Sequence, residues 1–142
     1  MFNPSDQLKQ AKLHFIHDSG SLKSYITEQV CCVLSLATRA VKTLSIVTFG
    51  STKQRNHPCK EMRLRVQTIE GGTLEVILYT VPFIPEVLDT VPLRSITEKY
   101  VNLRDLDPAD SSTMSGSGES DVLVGADHNW EVITGETKRG FD

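Results

Sequence analysis

The chain has little of what marks several large classes of protein. Its 142 residues include three cysteines, one tryptophan and only 6% aromatic residues. Cys31 and Cys32 are adjacent and Cys59 stands apart, an odd set that makes a poor disulfide framework and lacks the paired spacing of a zinc site. Reduced thiols in the cytosol are the expectation, with no structural metal. Basic residues are not in excess: fifteen Lys and Arg against eighteen Asp and Glu leave a net charge of −3, which removes the electrostatic support for nucleic-acid or anionic-membrane contact. No apolar run approaches the roughly 20 residues that span a bilayer. The start, "MFNPSDQLKQ", lacks a basic segment followed by an apolar one, so the expectation is a soluble, unsecreted, cytoplasmic protein.

What is present suits one compact domain over 1–142, at 39% hydrophobic residues. "AKLHFIH" reads as a short strand, with Leu13 and Phe15 on one face. Ile26, Val30, Val33 and Leu34 recur at helical spacing behind Thr27, a candidate N-cap. Thr43–Phe49 and Lys60–Ile69 read as strands; in the second, Met62, Leu64 and Val66 alternate with Glu61, Arg63, Arg65 and Gln67. The polar "GSTKQRNHP" between them reads as the tip of a long hairpin. Gly71 and Gly72 turn the chain into "TLEVILYTVPFIP", apolar on both faces and so a central strand, ended by Pro82 and Pro85. Residues 86–120, containing "DSSTMSGSGES", read as a surface insertion. "DVLVGAD" reads as a short buried strand stopping at Gly125, followed by a helix capped by Asp127 and closed by Gly135.

The stretch "HDSGS", His17 to Ser21, joins the first strand to the first helix. A serine-protease reading of Ser19 fails, because the preceding glycine is missing and the chain leaves no room upstream for the other triad members. A metal reading of His14, His17 and Asp18 fails too. These positions point to different faces of a strand and no further pair completes a site.

The remaining reading is an aspartic-protease loop. "DSGS" is similar to the Asp-Thr/Ser-Gly-Ser motif of aspartic proteases, and "VLVG" at Val122–Gly125 to the apolar strand beneath the catalytic loop of retroviral-type proteases. More specifically, "DSGSLKSYIT", "LSIVTFGS", "TVPFIP" and "VLVGADHNWEVITGE" resemble the protease domain of Pao-type (BEL/Pao) retrotransposon polyproteins, over about residues 13–138. The resemblance implies a mainly β, retropepsin-like fold: half of a closed barrel, with a flap hairpin and one or two short helices. It also implies an aspartic endopeptidase.

Such an enzyme needs two carboxylates sharing one proton. The other similar string, "LDTVP" at Leu88–Pro92, has Val91 where the motif requires glycine, so a second Asp18 must come from a second copy in a C2 homodimer. Asp18 would be catalytic. Ser19 would brace the two loops across the axis, Gly20 would offer its amide, and Ser21 would bond the outer carboxylate oxygen. Gly50 and Ser51 would form the flap tip, with a plain solvent hairpin as the alternative. Gly125 would allow close packing of its strand, and Asp127 and Trp130 would be structural, Trp130 as a core-packed indole. The implied substrate is an extended peptide of a polyprotein, and neither cofactor nor metal is required. His17 departs from the family, which carries a bulky apolar residue there; an imidazole buried beside the dyad costs free energy unless paired. The alternative expectation is a degenerate, inactive copy serving as a protein-interaction module.

Overall fold

Residues 1–46, 55–68, 71–84, 99–100, 120–133 and 135 are described by the computed structural model. Its elements are strands β1 (Phe2–Asn3), β2 (Asp6–Gln10), β3 (Phe15–His17) and β4 (Tyr25–Thr27), helix α1 (Glu28–Val33), strands β5 (Ala40–Ile46), β6 (Arg55–Gln67), β7 (Thr73–Val81) and β8 (Val122–Val124), and helix α2 (Asn129–Val132).

Alternation along β6 places Met62 and Leu64 in the core, facing Leu78 and Val76 of the antiparallel β7. Because β7 is apolar on both faces, it can be covered on both. It lies at the middle of the sheet, whose order is β2-β1-β6-β7-β4-β8-β3, with β5 on β6. The turn between β6 and β7 is closed by the Gly71 N–H donating to Thr68 O and the Thr68 N–H donating to Gly72 O.

The strand order forces curvature. In a flat sheet, six spacings of about 4.8 Å would put β2 and β3 about 29 Å apart. Only Ala11–His14 separate them in sequence, and that connection reaches at most about 18 Å. The sheet therefore curls into a half-barrel, and the molecule is mainly β with two short helices. Ile26, Val30, Leu34, Leu64, Val76, Leu78, Val122 and Val124 fill the concave side.

Several expectations are corrected. The first ten residues carry no strand pattern, yet β1 and β2 form a hairpin. It is held by Asn3, whose buried amide donates to the Leu34 and Ser35 carbonyls left over at the end of α1. Strand β5 begins at Ala40, earlier than the apolar run. β6 begins at Arg55 and runs through Pro58, which sits opposite Thr43. Proline is tolerated there because the ladder with β7 starts only at Glu61, so its ring faces an edge without strand partners among the described residues.

Glu61, expected on the polar face, is 7% exposed. It is retained there by Lys42, by Arg39 (3.6 Å) and by the Tyr79 hydroxyl (3.4 Å). Thr27 does occupy the N-cap of α1, but its side chain makes no capping bond. His128, not Asp127, occupies the N-cap position of helix α2, without a side-chain capping bond, and the helix ends at Val132, well before Gly135. Apart from 99, 100 and 120, the expected insertion at 86–120 lies outside the described residues.

Candidate active site

Strands β3 and β4 flank the "DSGS" loop but do not pair with each other. Strand β8 runs between them, parallel to β3 (His17 opposite Val124) and antiparallel to β4 (Tyr25 opposite Leu123). The loop must therefore arch over the end of β8, where Gly125 stands. A Cβ at Gly125 would lie 2.5 Å from the Lys23 carbonyl oxygen and 2.7 Å from that of Ser21. No side chain fits under the arch.

Four hydrogen bonds fix the arch to the strand beneath it. The Asp18 N–H donates to Val124 O (2.9 Å), and the Ala126 N–H to Ser21 O (2.7 Å). The Gly125 N–H donates to the Ser24 hydroxyl (2.9 Å), and the Ser24 N–H to Asp127 Oδ2 (3.3 Å). Ser24 is wholly buried, and its own hydroxyl proton goes to Asp127 Oδ1 at 2.6 Å. Lys23 Nζ lies 3.8 Å from the same carboxylate.

The arch holds Asp18 in the open. Its Oδ1 accepts the Gly20 N–H at 2.9 Å, and its carbonyl accepts the Ser21 N–H at 3.1 Å. Among the described residues Asp18 forms no ion pair. A carboxylate so held can accept a proton from water or pair with a second carboxylate.

Around it, Ser19 is exposed and unburdened by the core. The Ser21 hydroxyl donates to Lys23 O (2.7 Å) and so is turned away from Asp18. A hydroxyl has one proton to give, so it is not given to the outer carboxylate oxygen, correcting the expected role. His17 is exposed at the end of β3 in the single chain. His14 is exposed as well, and no cluster of three or more His, Cys, Asp and Glu side chains suited to a metal lies among the described residues.

Trp130 is corrected more sharply: it is 86% exposed. The His128 ring faces β7, with Nε2 3.1 Å from the Ile77 N–H and Nδ1 2.6 Å from Glu131. With Nδ1–H donating to Glu131, Nε2 accepts the Ile77 N–H, which lies on the β7 edge just before β4 begins. Two residues on, at about 100° per residue, Trp130 faces the opposite way. Gly50 and Ser51 lie outside the described residues, but the ribbon leading to them, β5 paired with the first half of β6 from Ala40–Glu61 to Ile46–Arg55, is present.

Sequence reasoning missed Ser24. One serine in "SLKSY" carries no pattern that sets it apart, and its burial comes from where β8 is inserted.

The family model described as "Putative peptidase (DUF1758)" matches residues 1–140, and the chain belongs to that family. This agrees with the peptidase class. No curated protein and no solved structure matches the chain.

Proposed function

We propose that this member of the peptidase family is a retropepsin-like aspartic endopeptidase of the Pao-type retrotransposon kind, active as a homodimer with one Asp18 per chain. The observation that carries the reading is the arch: a strand threaded beneath a "DSG" turn, with the carboxylate presented outward and braced by a backbone amide. Two such carboxylates facing each other cannot both ionise, so they share one proton. The ionised one takes a proton from a bound water, whose oxygen attacks the peptide carbonyl carbon. The protonated one gives its proton to the carbonyl oxygen. Collapse of the tetrahedral intermediate expels the amine, which takes up a proton as it leaves.

The remaining parts have roles in the same frame. Ser19, exposed at the turn, braces its counterpart across the axis. The β5–β6 ribbon acts as the flap, and an extended peptide lies beneath it as an added strand, with alternate side chains in pockets. The chemistry requires no metal or cofactor. The substrate is a polyprotein, and the setting is the intracellular particle of the element.

The test is cleavage of a mixed peptide library near pH 5 by the purified chain, with and without pepstatin, beside Asp18→Asn. We expect cleavage that both the inhibitor and the substitution abolish. Cleavage that survives either would remove Asp18 from the mechanism. An inert protein that sediments as a folded dimer would leave the non-catalytic interaction module as the better reading.

A further inference from the structure

We propose that Ser24 is the positioning residue of the site, with Asp127 setting the direction of its hydroxyl; the catalytic side of the proposal rests on the peptidase reading. The argument starts from hydrogen-bond inventory. A hydroxyl has one proton to give and lone pairs to receive, and the direction of that proton decides which neighbour it can hold. An ionised carboxylate only accepts. Because Asp127 Oδ1 stands 2.6 Å away, the Ser24 proton is committed to it, leaving a lone pair free for the Gly125 N–H at 2.9 Å. If that proton pointed at Gly125, two donors would face each other at the point where arch and strand touch.

Ser24 joins three strands. Its backbone carbonyl accepts the Tyr79 N–H of β7 at 3.0 Å, its hydroxyl holds Gly125 at the end of β8, and its chain continues into β4. It follows Asp18 by six residues and sits at the buried foot of the arch that carries that carboxylate. The opposite foot is tied by the Asp18 N–H to Val124 O. Releasing the Ser24 foot frees one end of a loop that must hold a carboxylate to a fraction of an ångström against its partner. Errors of that size cost rate, whereas a loop with no chemical task would tolerate them. Nothing in the core requires a hydroxyl here. The pair serves the arch.

The experiment compares Ser24→Ala, Asp127→Asn and the double variant with wild type, in the full chain, by steady-state kinetics and by amide hydrogen exchange. For Ser24→Ala we expect kcat to fall on the order of tenfold or more with KM within about twofold, the signature of misplaced catalytic groups, not lost substrate binding. Exchange at the Gly20 and Gly125 amides should speed up by about tenfold while Leu64, Val76 and Leu78 stay protected. Asp127→Asn keeps an oxygen for the hydroxyl but loses the acceptor for the Ser24 N–H, so its effect should be smaller. The double variant should fall short of the sum of the two single effects, exceeding Ser24→Ala only by the lost bond from the residue-24 N–H.

Unchanged kcat in Ser24→Ala would overturn the proposal. So would exchange that rises equally in β6 and β7, which is plain destabilisation. If Ser24→Ala does not fold, Asp127→Asn decides by the same criteria. If the wild type does not cleave, the peptidase reading falls, and the exchange pattern alone decides whether Ser24 holds the arch.

Discussion

Among the described residues, the carboxylates of Asp127 and Glu61 are held in different ways. Asp127 is held by the Ser24 hydroxyl and the Ser24 backbone N–H, with Lys23 at a distance. Glu61 is held almost wholly by side chains: Lys42, Arg39 and Tyr79. The first arrangement fixes backbone against backbone at the candidate site. The second neutralises a charge at the root of the β5–β6 ribbon, using cations whose stems are free to move. A backbone N–H donor specifies position, and a flexible cation supplies charge alone. The difference marks which end of the sheet is built for placement.

The largest effect should come from closing the space under the arch. Gly125→Ala puts a methyl against two carbonyl oxygens that belong to backbone and cannot swing aside, and should cost about 3 kcal/mol in urea unfolding. Gly71→Ala is the contrast. Its φ is +82° with open space around it, so it should cost about 1 kcal/mol, for backbone conformation alone. Similar costs at the two glycines would remove the claim that the arch is tightly placed.

The Glu61 cluster should show itself as a pH dependence. Its bond to Lys42 holds the Glu61 carboxyl below the usual range, against the upward push of burial, and the same bond raises Lys42. A depressed carboxyl adds stability that is present above its unfolded pKa and lost as pH falls through the folded value. A raised lysine adds stability that is present below its unfolded pKa and lost as pH rises through the folded value. Glu61→Gln should therefore lower the urea midpoint at neutral pH and flatten its decline at both the acid and alkaline ends. An unchanged acid limb would show that other groups govern it.

The smallest effect is expected at Trp130. Trp130→Ser should leave stability within about 0.5 kcal/mol of wild type, because the ring touches little of the core. A large loss in thermal unfolding would mean that the indole is covered in the folded protein.

Much of the frame was legible in the amino-acid order because burial there follows local period. The alternation of β6, the two-faced apolarity of β7 and the "VLVG" strand each name their own environment. Gly125 was legible for a different reason: the resemblance of "VLVG" implied close packing at its glycine, and a Cβ there would meet two backbone carbonyl oxygens. What could not be read depends on partners distant in sequence. β2 shows no pattern, since Leu8 is 92% exposed and the strand is secured through Asn3. Pro58 argues against a strand until it is known that its other edge has no strand partner among the described residues. Ser24 and Asp127 are 103 residues apart, so neither announces the other, and Trp130 was assigned by the habit of its residue type, not by its neighbours.

The insertion of β8 also decides when the site can exist. Its contacts with the β3 segment close a separation of 107 residues, whereas the β6–β7 hairpin turns within five, Thr68 to Gly72. At about 0.6 kcal/mol for each doubling of loop length, the longer closure costs about 3 kcal/mol more. Local hairpins are thus free to form first, and the arch waits for the far end of the chain. During synthesis Asp18 emerges early and remains an unplaced carboxylate until Gly125 has followed it, more than a hundred residues later.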